Sequence, residues 1–129
     1  MTIVVGYVPN RHGEAALDAG LAEARLRGGD VVVVNATRGD ALVDRRHLGD
    51  AAAAELEARL AGLDVPTSVR RVLGADVAEE VVRVADEVGA ALVVIGLRHR
   101  SAVGKVLMGS VAQRVLLEAR CPVLAVKAG

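Results

Sequence analysis

Aromatic side chains are almost missing from this chain of 129 residues: they make up 1%, and Tyr7 is the only one. Stacking of bases on aromatic platforms is excluded, and with it most recognition of single-stranded nucleic acid. A surplus of either charge is missing too. Sixteen basic and sixteen acidic side chains cancel to a formal net charge of +0, so no global basic field draws in DNA. Lysine occurs only at Lys105 and Lys127, and Arg carries the remaining positive charge. Cysteine occurs once, at Cys121; no intrachain disulfide can form, and a reducing compartment is expected. Next to Pro122, at the start of an apolar run, Cys121 reads as a small buried residue. No apolar run approaches the roughly eighteen residues needed to span a bilayer. The chain does not open on a basic segment followed by a long apolar run and a cleavage site. A cytoplasmic protein with no membrane partner is expected.

What the chain has in quantity is aliphatic residue. Hydrophobic types reach 53%, so the core must be built from Val, Leu, Ile and Ala. The length suits one domain, residues 1–129, with a core that needs no disulfide or metal. Thr2–Val8 reads as a first buried strand stopped by Pro9, and Pro9-Asn10-Arg11-His12-Gly13 as a turn. Glu14–Arg27 has helical spacing and ends at Gly28-Gly29. Val31–Val34 is a second strand, Asn35–Arg46 an irregular surface loop, and His47–Leu60 a strong helix. Pro66–Leu73 is a more polar strand suited to a sheet edge. Asp76–Val88 is a helix capped by Asp76, with a stripe at Val77, Val81, Val84 and Val88. Glu80 and the other helical acids fall on polar faces and read as solvated.

The stretch 91–126 organises the rest. Ala91–Ile95 is a continuous apolar strand ended by Gly96. Leu97–Met108 is a loop that crowds Arg98, His99, Arg100 and Lys105. Gly109-Ser110 opens an amphipathic helix with Ser110 placed as its cap, and Val123–Val126 is a last strand. No acidic residue lies between Val88 and Leu117. A cationic loop feeding a helix N-terminus is a place to hold an anion, most often a phosphate. The same charges also fit a merely solvated loop.

The element order β-α-β-α-β-α-β-α-β, with strands apolar throughout, calls for an α/β fold with a parallel sheet covered on both faces. The expected form is a doubly wound sheet of five strands in the order 3-2-1-4-5. There the loops after Val8 and Gly96 converge at the switch point, where ligands bind. Other chemistries fail on the residues. Gly104-Lys105 is not a Walker A loop, because His99 stands where its first Gly must be and Val106 where Ser or Thr must hold magnesium. His12, His47 and His99 lack metal-ligand spacing, so no metal site is expected. No nucleophile sits beside a base, so no catalytic residue is assigned. Val8-Pro9-Asn10 denies both the clustered acids of a phosphoryl receiver and the Ser/Thr-rich loop of a flavodoxin.

Gly96…Gly109-Ser110 followed by Cys121-Pro122-Val123-Leu124-Ala125-Val126 resembles the C-terminal signature of the universal stress protein family. The first strand IVVGY, the middle segment GLDVPTSVRRVLGADVAEEVV and the element order extend that resemblance over essentially the whole chain. The resemblance implies an adenine nucleotide α-hydrolase-like fold, a homodimer paired through the last strand, Val123–Val126, and, in many members, bound ATP or AMP. The nucleotide-binding branch has Gly, two residues, Gly, nine residues, Gly, then Ser, Thr or Asn. Gly96, Gly109 and Ser110 match it, while His99 replaces the second Gly. That branch also carries an acid after the first strand that contacts the nucleotide; Val8 stands here instead.

The expectation is a sensor or signalling protein of universal stress type that binds ATP or AMP, with magnesium accompanying ATP. Gly96, Gly109, Ser110, Arg98, His99, Arg100 and Lys105 would take the phosphates. Val8, Pro9 and the second strand near Val34–Ala36 would flank base and ribose. Any hydrolysis would be slow and incidental. The alternative is a dimeric interaction protein of the same fold in which Val8 and His99 occlude the pocket.

Overall fold

The structure is a computed structural model, described here over residues 1–37, 47–97 and 109–128. Nine elements alternate: β1 Thr2–Gly6, α1 Arg11–Arg27, β2 Asp30–Thr37, α2 Asp50–Ala61, β3 Thr67–Leu73, α3 Val77–Val88, β4 Leu92–Leu97, α4 Ser110–Glu118 and β5 Val123–Lys127. The strands form one sheet in the order β3-β2-β1-β4-β5. Every neighbouring pair is parallel, with Ile3 opposite both Val31 and Leu92, and Val93 opposite Val123. The expected fold and strand order are both present, and β3 lies at an edge, as its polarity suggested.

Alternation along the strands sorts the aliphatic residues onto two faces. Ile3, Val5, Val31, Val33 and Val94 pack under α1 and α2 with Leu17, Leu21, Leu56 and Leu60. Val4, Val32, Val34, Val93 and Ile95 pack under α3 and α4 with Val81, Val84 and Val115. Truncating a fully buried residue such as Leu17 to Ala should cost about 2–5 kcal/mol. The Val stripe of α3 faces the sheet as expected, with Val81 and Val84 buried and Val77 and Val88 packed at the rim. Asp76 caps that helix, accepting a hydrogen bond from the Glu79 amide at 3.0 Å.

Five local expectations are corrected. The second strand does not stop at Val34: β2 runs to Thr37, so Asn35, Ala36 and Thr37 are buried strand and not surface loop. α1 begins at Arg11, not Glu14, because Asn10 caps it. α2 begins at Asp50 after an extended Gly49, not at His47. β4 runs on through Leu97, so Gly96 lies inside the strand, opposite Val126. Glu80 is 9% exposed rather than solvated; the Nε–H of Arg83, one helical turn on, is shared between its two carboxylate oxygens at 3.1 Å, and Nη2 of the same guanidinium donates to Oε1. Cys121 is only half-buried, packed against the α3–α4 face of the core.

Candidate functional site

The site lies beyond the C-terminal ends of β1, β2 and β4, where the strand order turns. Because β1 and β4 are neighbours whose chains leave toward opposite faces, a crevice must open between their ends. It is a cavity of about 430 Å³, bordered by the starts of α1, α3 and α4. Its floor is apolar: Val34 and Ala36 of β2, Ile95 of β4, Val81 of α3 and Val115 of α4. Among the described residues, those in its wall with polar side chains are Tyr7, Asn10, His12, Thr37 and Ser110. An apolar volume with a handful of placed polar groups is the usual make-up of a small-molecule pocket.

Two close approaches of backbone shape the crevice. A Cβ on Gly13 would lie 1.8 Å from the Val8 carbonyl oxygen, so only glycine lets α1 start beneath the chain leaving β1. A Cβ on Gly96 would lie 2.4 Å from the His12 carbonyl oxygen. Gly96 therefore earns its place by letting the first turn of α1 rest on β4. That role is independent of any phosphate.

The turn between β1 and α1 is heavily fastened. The Tyr7 amide donates to the Val34 carbonyl at 2.8 Å, and the Asn35 side-chain amide donates to the Tyr7 carbonyl at 2.9 Å. Asn35 also accepts from the Leu48 amide at 3.0 Å, tying the turn to the entry of α2. The Asn10 side chain accepts from the amides of His12 and Gly13 at 3.0 and 3.1 Å. The Tyr7 hydroxyl donates to Glu14, and Arg59 donates to the same carboxylate at 2.9 Å. Burial, and then the adjoining Glu14 carboxylate, push the Tyr7 hydroxyl up to about 12.

α4 presents the opposite condition. Gly109 is its N-cap, in extended conformation, and no side chain caps the helix. The expected cap at Ser110 is thus corrected: Ser110 is the first helical residue, one position too late for its hydroxyl to cap. The first backbone bond of the helix runs from the Gln113 amide to the Gly109 carbonyl. The amides of Ser110, Val111 and Ala112 therefore have no intrahelical acceptor, and these three residues line the cavity. The start of α4 is held in place from the side, where Arg114 donates to Asp76 at 2.8 Å.

A second pair of open backbone groups follows from register. The Val31 amide donates to Pro66 and the Thr37 carbonyl accepts from Gly74, so odd-numbered residues of β2 turn toward β3. The even-numbered ones turn toward β1, as the Val34 carbonyl does. β1 ends at Gly6, so the Ala36 amide and carbonyl point to the side where no strand stands opposite them. Ala36 lines the cavity.

Of the residues singled out from the sequence, Gly96, Gly109, Ser110, Val8 and Val34 all border the cavity. Pro9 instead borders a neighbouring hollow beside Glu14, Leu48 and Arg59. Arg98, His99, Arg100 and Lys105 lie outside the described residues. Sequence reasoning missed Asn10, His12, Gly13 and Thr37. An Asn four residues ahead of Glu14 and just after a Pro is a helix-start signal, and would have extended α1 and found the first three. Among the described residues there is no cluster of three metal-ligating side chains and no helix long and apolar enough to cross a membrane.

A doubly wound parallel sheet with its crevice at the switch point, bordered by the start of α4 and floored by apolar residues, defines a class: doubly wound α/β proteins with a switch-point cavity. Within that class the chain belongs to the universal stress protein family, whose sequence model matches residues 1–127. A universal stress protein of Mycolicibacterium smegmatis is 48% identical over 125 residues, covering 97% of this chain and 96% of the relative. The universal stress protein of Archaeoglobus fulgidus solved in complex with dAMP is 30% identical, with a TM-score of 0.67 and coverage of 97% and 96%. A universal stress protein solved in complex with cAMP is 27% identical, with a TM-score of 0.75 and coverage of 100% and 98%.

Proposed function

We propose that this chain binds an adenine nucleotide, AMP or ATP, in the 430 Å³ cavity, and serves as a cytoplasmic sensor or signalling protein in a stress response. The observation that carries the reading is the uncapped start of α4 facing an apolar crevice. Open amides with the positive end of the helix dipole behind them favour a phosphate. The Ser110 hydroxyl, spent on no cap, adds a donor. The Ala36 amide and carbonyl offer one donor and one acceptor side by side, which match the N1 and exocyclic amine of adenine. Val34 and Val8 supply apolar faces for the ring. Arg98, His99, Arg100 and Lys105, which fall between Gly96 and Gly109 in sequence, would add charge for the phosphates, and magnesium would accompany ATP. Two relatives solved with dAMP and with cAMP support the ligand class.

Val8 supplies no carboxylate to the ribose. One missing acceptor weakens binding by about 1–3 kcal/mol and leaves the phosphate and base contacts in place. No catalytic group is assigned. Calorimetric titration of nucleotide-stripped protein with AMP and ATP, with and without magnesium, tests the reading. Micromolar binding that weakens with salt is expected; no heat and no thermal shift at millimolar ligand would refute it.

A second reading, a homodimer whose surface is the function, is favoured by β5. That strand has β4 on one side only, and Val123 to Val126 are each half-buried on their two faces. Leu117 of the adjoining α4 is 85% exposed. Pairing of two β5 strands across a two-fold axis would cover both features, and Lys127 at the strand end limits open-ended pairing. Sedimentation at micromolar concentration should show a dimer; a monomer there would exclude it.

A further inference from the structure

Resting on the nucleotide reading, we infer that the His12 imidazole is a phosphate-contacting group of the cavity. His12 is the second residue of α1 and borders the cavity. It stands over Gly96: a Cβ built on Gly96 would lie 3.2 Å from the His12 Cβ. That places the ring where β4 hands over to the segment leading to Gly109, on the phosphate side of the crevice and away from the open edge of Ala36. Its backbone amide is already taken by Asn10, so only the ring is free to act.

The ring carries an unresolved polar atom. Nδ1 of His12 is buried and has no hydrogen-bond partner, alone in this respect among the described side chains. Buried polar atoms without partners are rare in native proteins, and each calls for a reason. Packing does not supply one. The imidazole is nearly the same shape after a half-turn about its ring torsion, which is soft. Such a turn exchanges Nδ1 with a carbon and brings the nitrogen to the other edge of the ring. His12 as a whole is half-buried, and it is the Nδ1 edge of its ring that is shut off from solvent. A phosphate oxygen seated at the start of α4 gives the nitrogen a partner, and a hydrogen bond to a charged oxygen is stronger than one to a neutral group. The cavity then closes on its ligand from two sides, with amides and Ser110 from α4 and an imidazole from α1.

The test compares wild-type protein with His12→Phe and His12→Asn, each titrated with AMP and with adenosine. His12→Phe keeps the ring and removes both nitrogens. AMP affinity should fall about tenfold, equivalent to about 1.4 kcal/mol, while adenosine affinity stays within about twofold. The thermal midpoint of the nucleotide-free variant should not drop, because the lost nitrogen had no partner in the protein. His12→Asn, which keeps a polar atom near the place of Nδ1, should recover AMP affinity to within about threefold of wild type. Unchanged AMP affinity in His12→Phe overturns the inference while the nucleotide reading stands. An equal loss of AMP and adenosine also overturns it, by moving the contact to the nucleoside. No binding of either ligand to wild type ends both readings. Imidazole nitrogen spectra of the wild-type protein check the same point without a variant. The His12 Nδ1 resonance should move on adding AMP and stay put with adenosine, and an unmoved resonance overturns the assignment.

Discussion

Two helices begin at the same cavity, α1 and α4, and their first turns are built in opposite ways. α1 is closed. Asn10 takes the amides of His12 and Gly13, Glu14 holds the Tyr7 hydroxyl, and Arg59 holds Glu14. α4 is open, with a glycine at its N-cap and no side chain across its amides. A helix start costs stability when its donors go unpaired, and a side-chain cap recovers about 1 kcal/mol. The chain caps α1 with Asn10 and α3 with Asp76, and leaves α2 and α4 with a glycine N-cap and no side-chain cap; of these two, α4 is the one whose start borders the cavity. Under the proposed nucleotide reading, α1 is the scaffold end of the cavity and α4 the end left for a ligand. In many doubly wound proteins the phosphate sits at the helix after the first strand; here Asn10 occupies the amides at that position, and the proposed anion would lie at the helix after the fourth.

The comparison can be broken most severely at the closed end. Gly13→Ala puts a methyl group 1.8 Å from the Val8 carbonyl oxygen, so the turn or the helix must shift. A loss of about 3 kcal/mol or more is expected, read as a lowered denaturation midpoint with an unchanged slope. At the open end, Gly109→Asp supplies the missing cap. It should raise stability by up to about 1 kcal/mol and cut AMP affinity more than tenfold, since the carboxylate takes the amides and repels phosphate. Stability and binding moving in opposite directions is the signature; a gain or loss in both would blur the distinction between the two ends.

Smaller effects sharpen it. Tyr7 fastens the closed end with a hydroxyl held at about 12 against an ordinary 10.0. Its folded value is raised, so its contribution is fully present below pH about 10 and is lost as the pH climbs toward 12. On the order of 2 kcal/mol should disappear over that window, and Tyr7→Phe should flatten it. Tyr7 is the only aromatic residue, so the tyrosinate absorbance of the native protein reports this one group directly. Asn10→Ala should cost about 1 kcal/mol of stability and change AMP affinity little. Ser110→Ala should do the reverse, leaving the thermal midpoint within about a degree and lowering AMP affinity a few-fold.

The fold could be read from the sequence because its signals are collective. Strands such as Val31–Val34 and the stripe Val77, Val81, Val84, Val88 repeat a period often enough to outvote any single residue. The parallel order then follows from short right-handed crossovers. The site was less legible because it depends on single positions. The polar run Pro9–Gly13 has the composition of a turn, yet Asn10 turns most of it into the first turn of α1. Gly96 looked like the end of a strand and is inside one, because a glycine needed for the close approach of His12 looks the same in sequence as a glycine that ends an element. Ser110 matched a cap by residue type and missed by one position. The open edge of Ala36 has no sequence signal of its own; it depends on β1 stopping three residues short of its neighbour.

Amide spectra of the labelled protein titrated with AMP show whether ligand goes to the open helix or to the closed one. The account predicts large shifts for Ser110, Val111, Ala112 and Ala36, with His12 and Gly13 amides nearly still because Asn10 holds them. Shifts concentrated at Arg11 to Glu14, with the α4 amides unmoved, would contradict it.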